Sequence, residues 1–388
     1  MAKPTLLVLG STFPVDAKDG TPSFVLDLAK EQSKSFDVTV LTPFVSGSKR
    51  IEVIEDVKVI RFRYWPFSHT LAKGAILDNL KTRPITWLQV PFLMLGLLGQ
   101  VKKLDKALNP AVMHAHWVIP QGLAAAMAAK NTKLVITAHG GDVYALNQRP
   151  LQTLKKLILK RAAAITTVNS EMKARLQELG LDAAKIHVLP MGVDLALARA
   201  ATAAKVKNQL VVVGRLVEKK GIEHLIAAIK LLSDKGELPQ GTKLKVAGDG
   251  PLRQELEKAS KNLPIEFLGS RSKQEVLELF AQSELALLPS VKAKSGDQEG
   301  LPVTLLEAGA AGACVIASDL DGINELIVEG KNGILVEPGN PLALAETIKT
   351  ALSDSKLRIQ LADALKESVQ EFDHSVVGAK YNALIVSL

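Results

Sequence analysis

A single cysteine, Cys314, stands in 388 residues, so no internal disulfide can form and a small disulfide-stapled scaffold is excluded. Aromatic residues make up only 4% of the chain and no nucleic-acid module is visible, so nucleic acid is not the expected partner. No segment is biased enough to stay unfolded, and no short-period repeat appears. Long apolar runs are also scarce. The best membrane candidate, ITWLQVPFLMLGLLGQV at 85–101, is short of the about 20 residues a spanning helix needs and contains Pro91. It reads first as a core helix. Its flanking Lys81, Arg83, Lys102 and Lys103 leave open shallow docking on an anionic membrane surface. The opening MAKPTLLVLG runs straight into a strand pattern without the regions of a signal peptide. With one cysteine, the expected location is cytoplasmic, with peripheral attachment to the inner face of the membrane left open.

What is present is a folded composition, 47% hydrophobic and 23% charged, in a chain long enough for two cores. The net charge of +8 is uneven: residues 1–200 hold 26 Lys and Arg against 15 Asp and Glu, whereas residues 201–388 hold 22 against 25. The first half therefore suits an anionic partner, either an acidic acceptor or a membrane surface.

Short β-branched runs alternate with helical patterns, the signature of βαβ units and parallel sheets in an α/β protein. One series of strands is expected at 5–10, 38–41, 57–63, 112–116, 134–138, 164–168 and 187–190. A second series follows at 210–214, 244–247, 265–268, 285–289, 315–317 and 334–336. Between them LALARAATAAKVKN, starting at Leu195, reads as a hinge. This places a first domain at 1–195, a linker at 196–208 and a second domain at 209–374. The last helical stretch, 375–388, has no strand after it and is expected to pack back onto the first domain.

Several segments fall where open α/β sheets bind ligands, at the carboxyl ends of strands. In EGLPVTLLE (299–307), Pro302 precedes or opens a helix, so free amides and the positive dipole end suit an anion. Glu299 lies on the loop and Glu307 about two turns into the helix. Eight positions correspond to roughly 80° of rotation, so the two carboxylates are expected to touch different parts of a ligand, such as a hexose and a ribose. A pair of surface glutamates is the plain alternative. In GRLVEKKG (214–221), Arg215 and Lys220 sit after the first strand of the second series, where two cations suit a diphosphate. A solvated basic turn would look the same. The glycines of AGDGPL (247–252) fit a phosphate or simply a tight turn.

In the first domain, the polar loop 11–21 carries Gly20 and Thr21, and TAHGGDVY (137–144) puts His139 at a strand end beside two glycines. His114 and His116 alternate on one strand and so share a face. No third and fourth ligand is evident, so hydrogen bonding or packing is preferred to zinc.

These segments together resemble the large retaining glycosyltransferase family of GT-B fold, group 1 or family four type. The resemblance rests on GRLVEKKG and EGLPVTLLEAGAAG, with HAHW and TAHGGD upstream and NGILVEPGN downstream. It covers nearly the whole chain and is strongest from 210 to 339. It implies two Rossmann-like doubly wound domains facing a central cleft, the first for the acceptor and the second for a nucleotide sugar. By position, Arg215 and Lys220 would bind the donor diphosphate, Glu299 the transferred sugar and Glu307 the ribose. The backbone at Gly300 and Leu301 would approach sugar or phosphate, and His139 would stand near the sugar hydroxyls. Gly20 matches the glycine loop that approaches the diphosphate, although Asp19 stands where many members have a second glycine. Gly214 and Gly248 complete the donor turns, and main-chain readout of the base falls near Leu268 to Arg271. Cys314 replaces a frequent proline, and the Lys-x-Gly-Gly opening of glycogen and starch synthases is missing.

The expected reaction is retaining hexosyl transfer from a UDP- or GDP-linked sugar to a glycan, glycolipid or small-molecule acceptor. No cofactor or metal is required in this reading, since Arg215 and Lys220 neutralise the leaving group. Arg61, Arg63, Tyr64, Trp65 and the stretch to Arg83 are the expected acceptor wall. Three rivals remain: a non-catalytic nucleotide-sugar binder, a nucleotide-sugar epimerase, and a glycosidase using Glu299 and Glu307. A glycosidase would need carboxyls on opposite sides of the bond, which one loop and its helix do not easily supply.

Overall fold

The computed structural model describes residues 3–15, 19, 21–67, 70–72, 76–145 and 147–388 and, of residues 77, 78 and 81, the backbone alone. Gly20 lies outside the described residues. The chain divides into two units, Met1–Gly192 with His374–Leu388, and Val193–Asp373.

The first unit holds eight strands: β1 (Thr5–Leu9), β2 (Asp37–Pro43), β3 (Ile51–Ile54), β4 (Val57–Phe62), β5 (Val112–His116), β6 (Lys133–Ala138), β7 (Ala164–Thr167) and β8 (Ile186–Val188). Their order is β3-β4-β2-β1-β5-β6-β7-β8. All pairs are parallel except β3 with β4. The central strands read as unbroken apolar runs because helices cover both faces, as in LLVL of β1, buried throughout. The hairpin strand β3 was not expected. Its turn, Glu55 and Asp56, takes positive φ at both residues (48° and 67°) without glycine or asparagine, so the usual hairpin signal is absent.

The second unit holds β9 (Val206–Val213), β10 (Lys243–Ala247), β11 (Ile265–Gly269), β12 (Ser283–Leu288), β13 (Cys314–Ser318) and β14 (Ile334–Val336). Their order, β11-β10-β9-β12-β13-β14, is all parallel and reverses direction at β9 and β12. This is the doubly wound order of a Rossmann sheet, whose ligand crevice opens where neighbouring strands send their connections to opposite faces. Cys314 is buried in this core, and burial pushes its thiol up to about 11.

The expected linker is not one. Leu195–Ala200 is a helix capped by Asp194, whose Oδ1 accepts from the Leu197 amide at 2.8 Å, and β9 starts at Val206. Leu195, Ala198 and Ala201 lie in the second unit's core, so small alanines here mean close packing rather than looseness. The unit boundary falls at Gly192 and Val193, and again at Asp373 and His374.

The C-terminal helix, His374–Val386, belongs to the first unit and lies against the helix Phe24–Ser33. Gly378 permits this approach: a Cβ there would come within 2.3 Å of Glu31 Cβ. Tyr381 donates to the Leu189 carbonyl at 2.8 Å, and Asn382 to that of Glu31 at 3.1 Å.

Two expected acceptor-wall residues are core residues instead. Arg61 is fully buried, ion-paired with Glu52 and donating to the Pro14 carbonyl at 2.8 Å. Tyr64 is buried with its hydroxyl accepting from the Ala72 amide at 3.1 Å. Arg63 is exposed, with its guanidinium over the Phe44 ring at 4.9 Å.

Candidate functional site

In the second unit the two segments singled out by sequence meet at the switch point. Strand β9 delivers Gly214 and Arg215, and a 3₁₀ turn, Glu218–Lys220, leads into the helix Ile222–Asp234. Neighbouring β12 delivers the loop 289–301 that ends on Glu299. Lys220 Nζ lies 3.3 Å from Glu299 Oε1, both side chains being largely buried. Lys219 pairs with Asp297 at 3.3 Å, the Lys294 amide donates to Glu218 at 2.9 Å, and the Val291 amide donates to the Lys219 carbonyl at 2.9 Å. Gly221 is left-handed (φ 59°), and a Cβ there would sit 1.9 Å from the Pro289 carbonyl oxygen. The two loops are therefore bolted together through side chains and backbone. Sequence reasoning missed this staple, whose partners stand roughly 75 residues apart; the opposite charges of VEKKG and SGDQEG were the available signal.

Burial alone would push the Glu299 carboxyl up, but Lys220 and then Lys219 outweigh it and hold it below the ordinary range. Glu299 is thus an anion at neutral pH. Its Oε1 makes the ion pair yet receives no aligned hydrogen bond, so its lone pairs suit ligand hydroxyls.

The next helix, Val303–Ala310, starts after Pro302, which supplies no side-chain cap. Its N-terminal amides and dipole adjoin the Glu299 loop, which favours negative charge there. Gly300 and Leu301 are buried; the Leu301 side chain joins the core, which leaves its backbone for any ligand contact. Glu307 is the fifth residue of this helix, just over one turn in rather than two, and is largely buried. Thr304, not anticipated, has a buried Oγ1 without a hydrogen-bond partner among the described residues.

The glycines of AGDG have a packing reason. A Cβ on Gly248 would fall 1.9 Å from the Gly214 carbonyl oxygen, so the loops after β9 and β10 touch backbone to backbone. Leu268 and Arg271 lie at the carboxyl end of β11, the same end of the sheet but two strands from β9. Arg271 Nε stands 3.8 Å from Glu275.

In the first unit, His139 follows β6. Its amide donates to Asp142 Oδ1 at 2.9 Å, and the Val118 amide donates to Oδ2 of the same carboxylate at 3.0 Å. Asp142 thereby fixes the turns after β5 and β6 together. His139 Nε2 is 2.9 Å from His116 Nδ1, the two rings stacking at 5.1 Å, with Phe24 and Trp117 alongside. Burial among these rings, then repulsion from His114, lowers the His139 pKa, so the ring is neutral at pH 7. His114 joins Gln32 at 3.0 Å and Thr137 at 2.7 Å, and Thr137 continues to Thr166 at 2.6 Å. The two strand histidines are thus hydrogen-bonding members of a buried network, and no group of three metal-ligating side chains gathers among the described residues.

Comparison with known proteins identifies this arrangement. Residues 196–368 match the model for glycosyl transferases group 1, and residues 18–197 match the model for glycosyltransferase family 4. The chain belongs to the group 1 glycosyltransferases of GT-B fold and is a transferase enzyme. Among relatives, the putative teichuronic acid biosynthesis glycosyltransferase TuaC of Bacillus subtilis is 27% identical, covering 95% of this chain and 94% of its own. The glycogen synthase of Mycobacterium tuberculosis is also 27% identical, over 88% of this chain and 84% of its own. Among solved structures, Anabaena HepE in complex with UDP-glucose superposes with a TM-score of 0.72 at 18% identity, covering 99% of this chain and 100% of its own.

Proposed function

We propose that this enzyme moves a hexosyl unit from a UDP- or GDP-linked sugar to a glycan, a lipid-linked glycan or a small-molecule acceptor, with retention of anomeric configuration. Arg215 and Lys220 hold the donor diphosphate, Glu299 takes the hydroxyls of the transferred sugar, and Glu307 the ribose. The observation that carries this reading is the Lys220 and Glu299 pair at the switch point, 3.3 Å apart: one cation and one fixed carboxylate, matched to a sugar diphosphate. In the reaction the acceptor oxygen bonds to the anomeric carbon on the face from which the diphosphate departs. The carbon–oxygen bond to phosphate breaks with its electron pair, and the departing phosphate oxygen takes the acceptor proton. Catalysis then consists of positioning and of charge held where the leaving group becomes more negative. No metal is needed for that charge, and none of these roles requires a basic His139, whose neutral ring suits a hydrogen bond to a sugar hydroxyl. The acidic residues of a cell-surface glycan would suit the basic first half, and the cytoplasm is the compartment this reading assigns.

A thermal-shift panel of uridine, guanosine and adenosine diphosphates and their sugars selects the donor. The anomeric proton coupling of the product then tests the mechanism: retention supports it, and inversion refutes it. Removing Arg215 or Lys220 should cost on the order of 10²–10³ in turnover. Donor turnover to an epimer without acceptor, or tight binding without transfer to any acceptor, would replace this reading.

A further inference from the structure

The segment before and within the long helix of the first unit is turned inside out. In the 3₁₀ turn Pro84–Gln89, the polar Thr86 and Gln89 are 0% and 4% exposed, whereas Ile85, Trp87 and Leu88 are 69%, 60% and 58% exposed. A turn facing water would show the reverse. Hydrogen bonds fix the inversion: Thr86 donates to the Asn79 and Arg83 carbonyls at 3.0 and 2.7 Å, Gln89 binds the Leu71 amide and Thr70, and Trp87 Nε1 donates to the Leu80 carbonyl at 3.2 Å. The helix Val90–Leu108 then continues the outer face. Phe92 and Leu95 are 50% and 69% exposed, while Leu93, Leu97, Val101 and Leu104 bury the opposite face in the core. Phe92 stacks edge-on with Trp65 at 4.9 Å, and Trp65 with the exposed Phe67 at 6.2 Å, which widens the patch.

The outer stripe changes character along its length. Leu88, Phe92, Leu95 and Gly99 follow the helical repeat, and the same line ends in exposed Lys102, Lys103 and Lys106, with Arg83 exposed at the other end. Between residues 79 and 104 the sequence has no acidic residue. An apolar centre with an aromatic belt and cationic ends complements a bilayer surface, whose hydrocarbon edge takes the rings and whose anionic headgroups take the lysines. A spanning mode is ruled out by the four core residues, which would have to leave the sheet.

We infer that this face, Ile85 to Lys106 with Phe67, docks the enzyme on an anionic lipid bilayer. The docking does not depend on which donor is used, and its test needs no donor. The intact protein is sedimented with vesicles of phosphatidylcholine alone and of phosphatidylcholine with phosphatidylglycerol. Binding to the mixed vesicles, much weaker binding to the neutral ones, and quenching of tryptophan fluorescence by brominated lipid are expected. Leu88→Ser with Phe92→Ser and Leu95→Ser should lower partitioning by on the order of a hundredfold or more. Lys102→Gln with Lys103→Gln and Lys106→Gln, which touches no packed side chain, should lower it about a hundredfold and only for anionic vesicles. Melting of the lysine variant should match the parent, since Lys102, Lys103 and Lys106 are exposed, and the serine variant, which loses the contact of Phe92 with Trp65, should melt somewhat lower in a transition that stays cooperative. No binding to either vesicle, or binding that both variants retain, overturns the inference. So does a dimer in light scattering that the Leu88, Phe92 and Leu95 substitutions dissociate, which would put a second copy on this face.

Discussion

Replacing Lys220 by methionine keeps the length of the side chain and removes the charge 3.3 Å from Glu299. A buried carboxylate that loses its partner costs about 3–5 kcal/mol. Lys219 still acts on Glu299, so about 2–3 kcal/mol is expected here. Glu299→Gln alone, which leaves Lys220 free to turn outward, should cost about 1–2 kcal/mol. The double variant holds no buried charge and should cost no more than Lys220→Met alone, giving a coupling of at least about 1–2 kcal/mol, the cost of Glu299→Gln. Transfer activity should remain lost in the double variant, which separates the structural role of the pair from its role toward the donor. The pH dependence has a defined sign. In the parent, the depressed Glu299 pKa contributes stability that is full above the unfolded value and is lost as pH falls through the lower folded value. Without Lys220, burial dominates and raises that pKa, so the folded state binds the proton first and the deficit of Lys220→Met shrinks as pH falls from 8 toward about 5. Tryptophan fluorescence is blind to this unit, because Trp65, Trp87 and Trp117 all lie in the other. Urea-dependent hydrogen exchange of peptides from 206–234 and 283–310 reads it directly. Strictly additive single and double effects would refute the pairing.

Three further outcomes are expected. In the first unit the His114 pKa is pushed down by burial to about 3, with His116 also well below its ordinary value. The unfolded chain therefore takes up protons near 6.5 that the folded unit refuses. Stability is full above about 6.5 and falls as pH drops from there toward 3, by about 1.4 kcal/mol per pH unit for each such ring. Tryptophan fluorescence follows it, and a flat profile would contradict it. Gly221→Ala should destabilise the second unit by about 2–4 kcal/mol through left-handed strain and the clash with Pro289, against about 1 kcal/mol for Gly236→Ala, equally left-handed but with open space around it. Finally, transfer assayed after exhaustive treatment with a chelator should keep most of its rate; loss restored by a divalent ion would assign the diphosphate to a metal.

Most strands were legible because, apart from the β3 edge, both sheets are parallel and doubly covered, so their central strands are continuous apolar runs between turn residues. The hairpin strand escaped because Glu55 and Asp56 occupy positions where glycine or asparagine is the usual signal. The stretch after Leu195 was misread because alanine signals looseness in composition but close packing in a core. The site split the same way. Arg215, Lys220 and Glu299 could be placed from strand ends alone, since the doubly wound order fixes where such ends converge. The bolting of one loop to the other, and the reach of Asp142 to the Val118 amide, depend on partners distant in sequence, so no single local segment displays them. Arg61 shows the converse error: a charged residue taken for a binding wall is a buried strut.

Calorimetric titration of the parent and of Arg215→Ala with UDP-glucose, GDP-mannose and the free diphosphates tests whether the second unit grips a sugar diphosphate through this arginine. Saturable binding of at least one diphosphate series by the parent is expected, with a loss of about tenfold or more in Arg215→Ala, a charge-assisted contact of about 1.5–3 kcal/mol. A parent that binds none of them, or a variant that binds as the parent does, would contradict it.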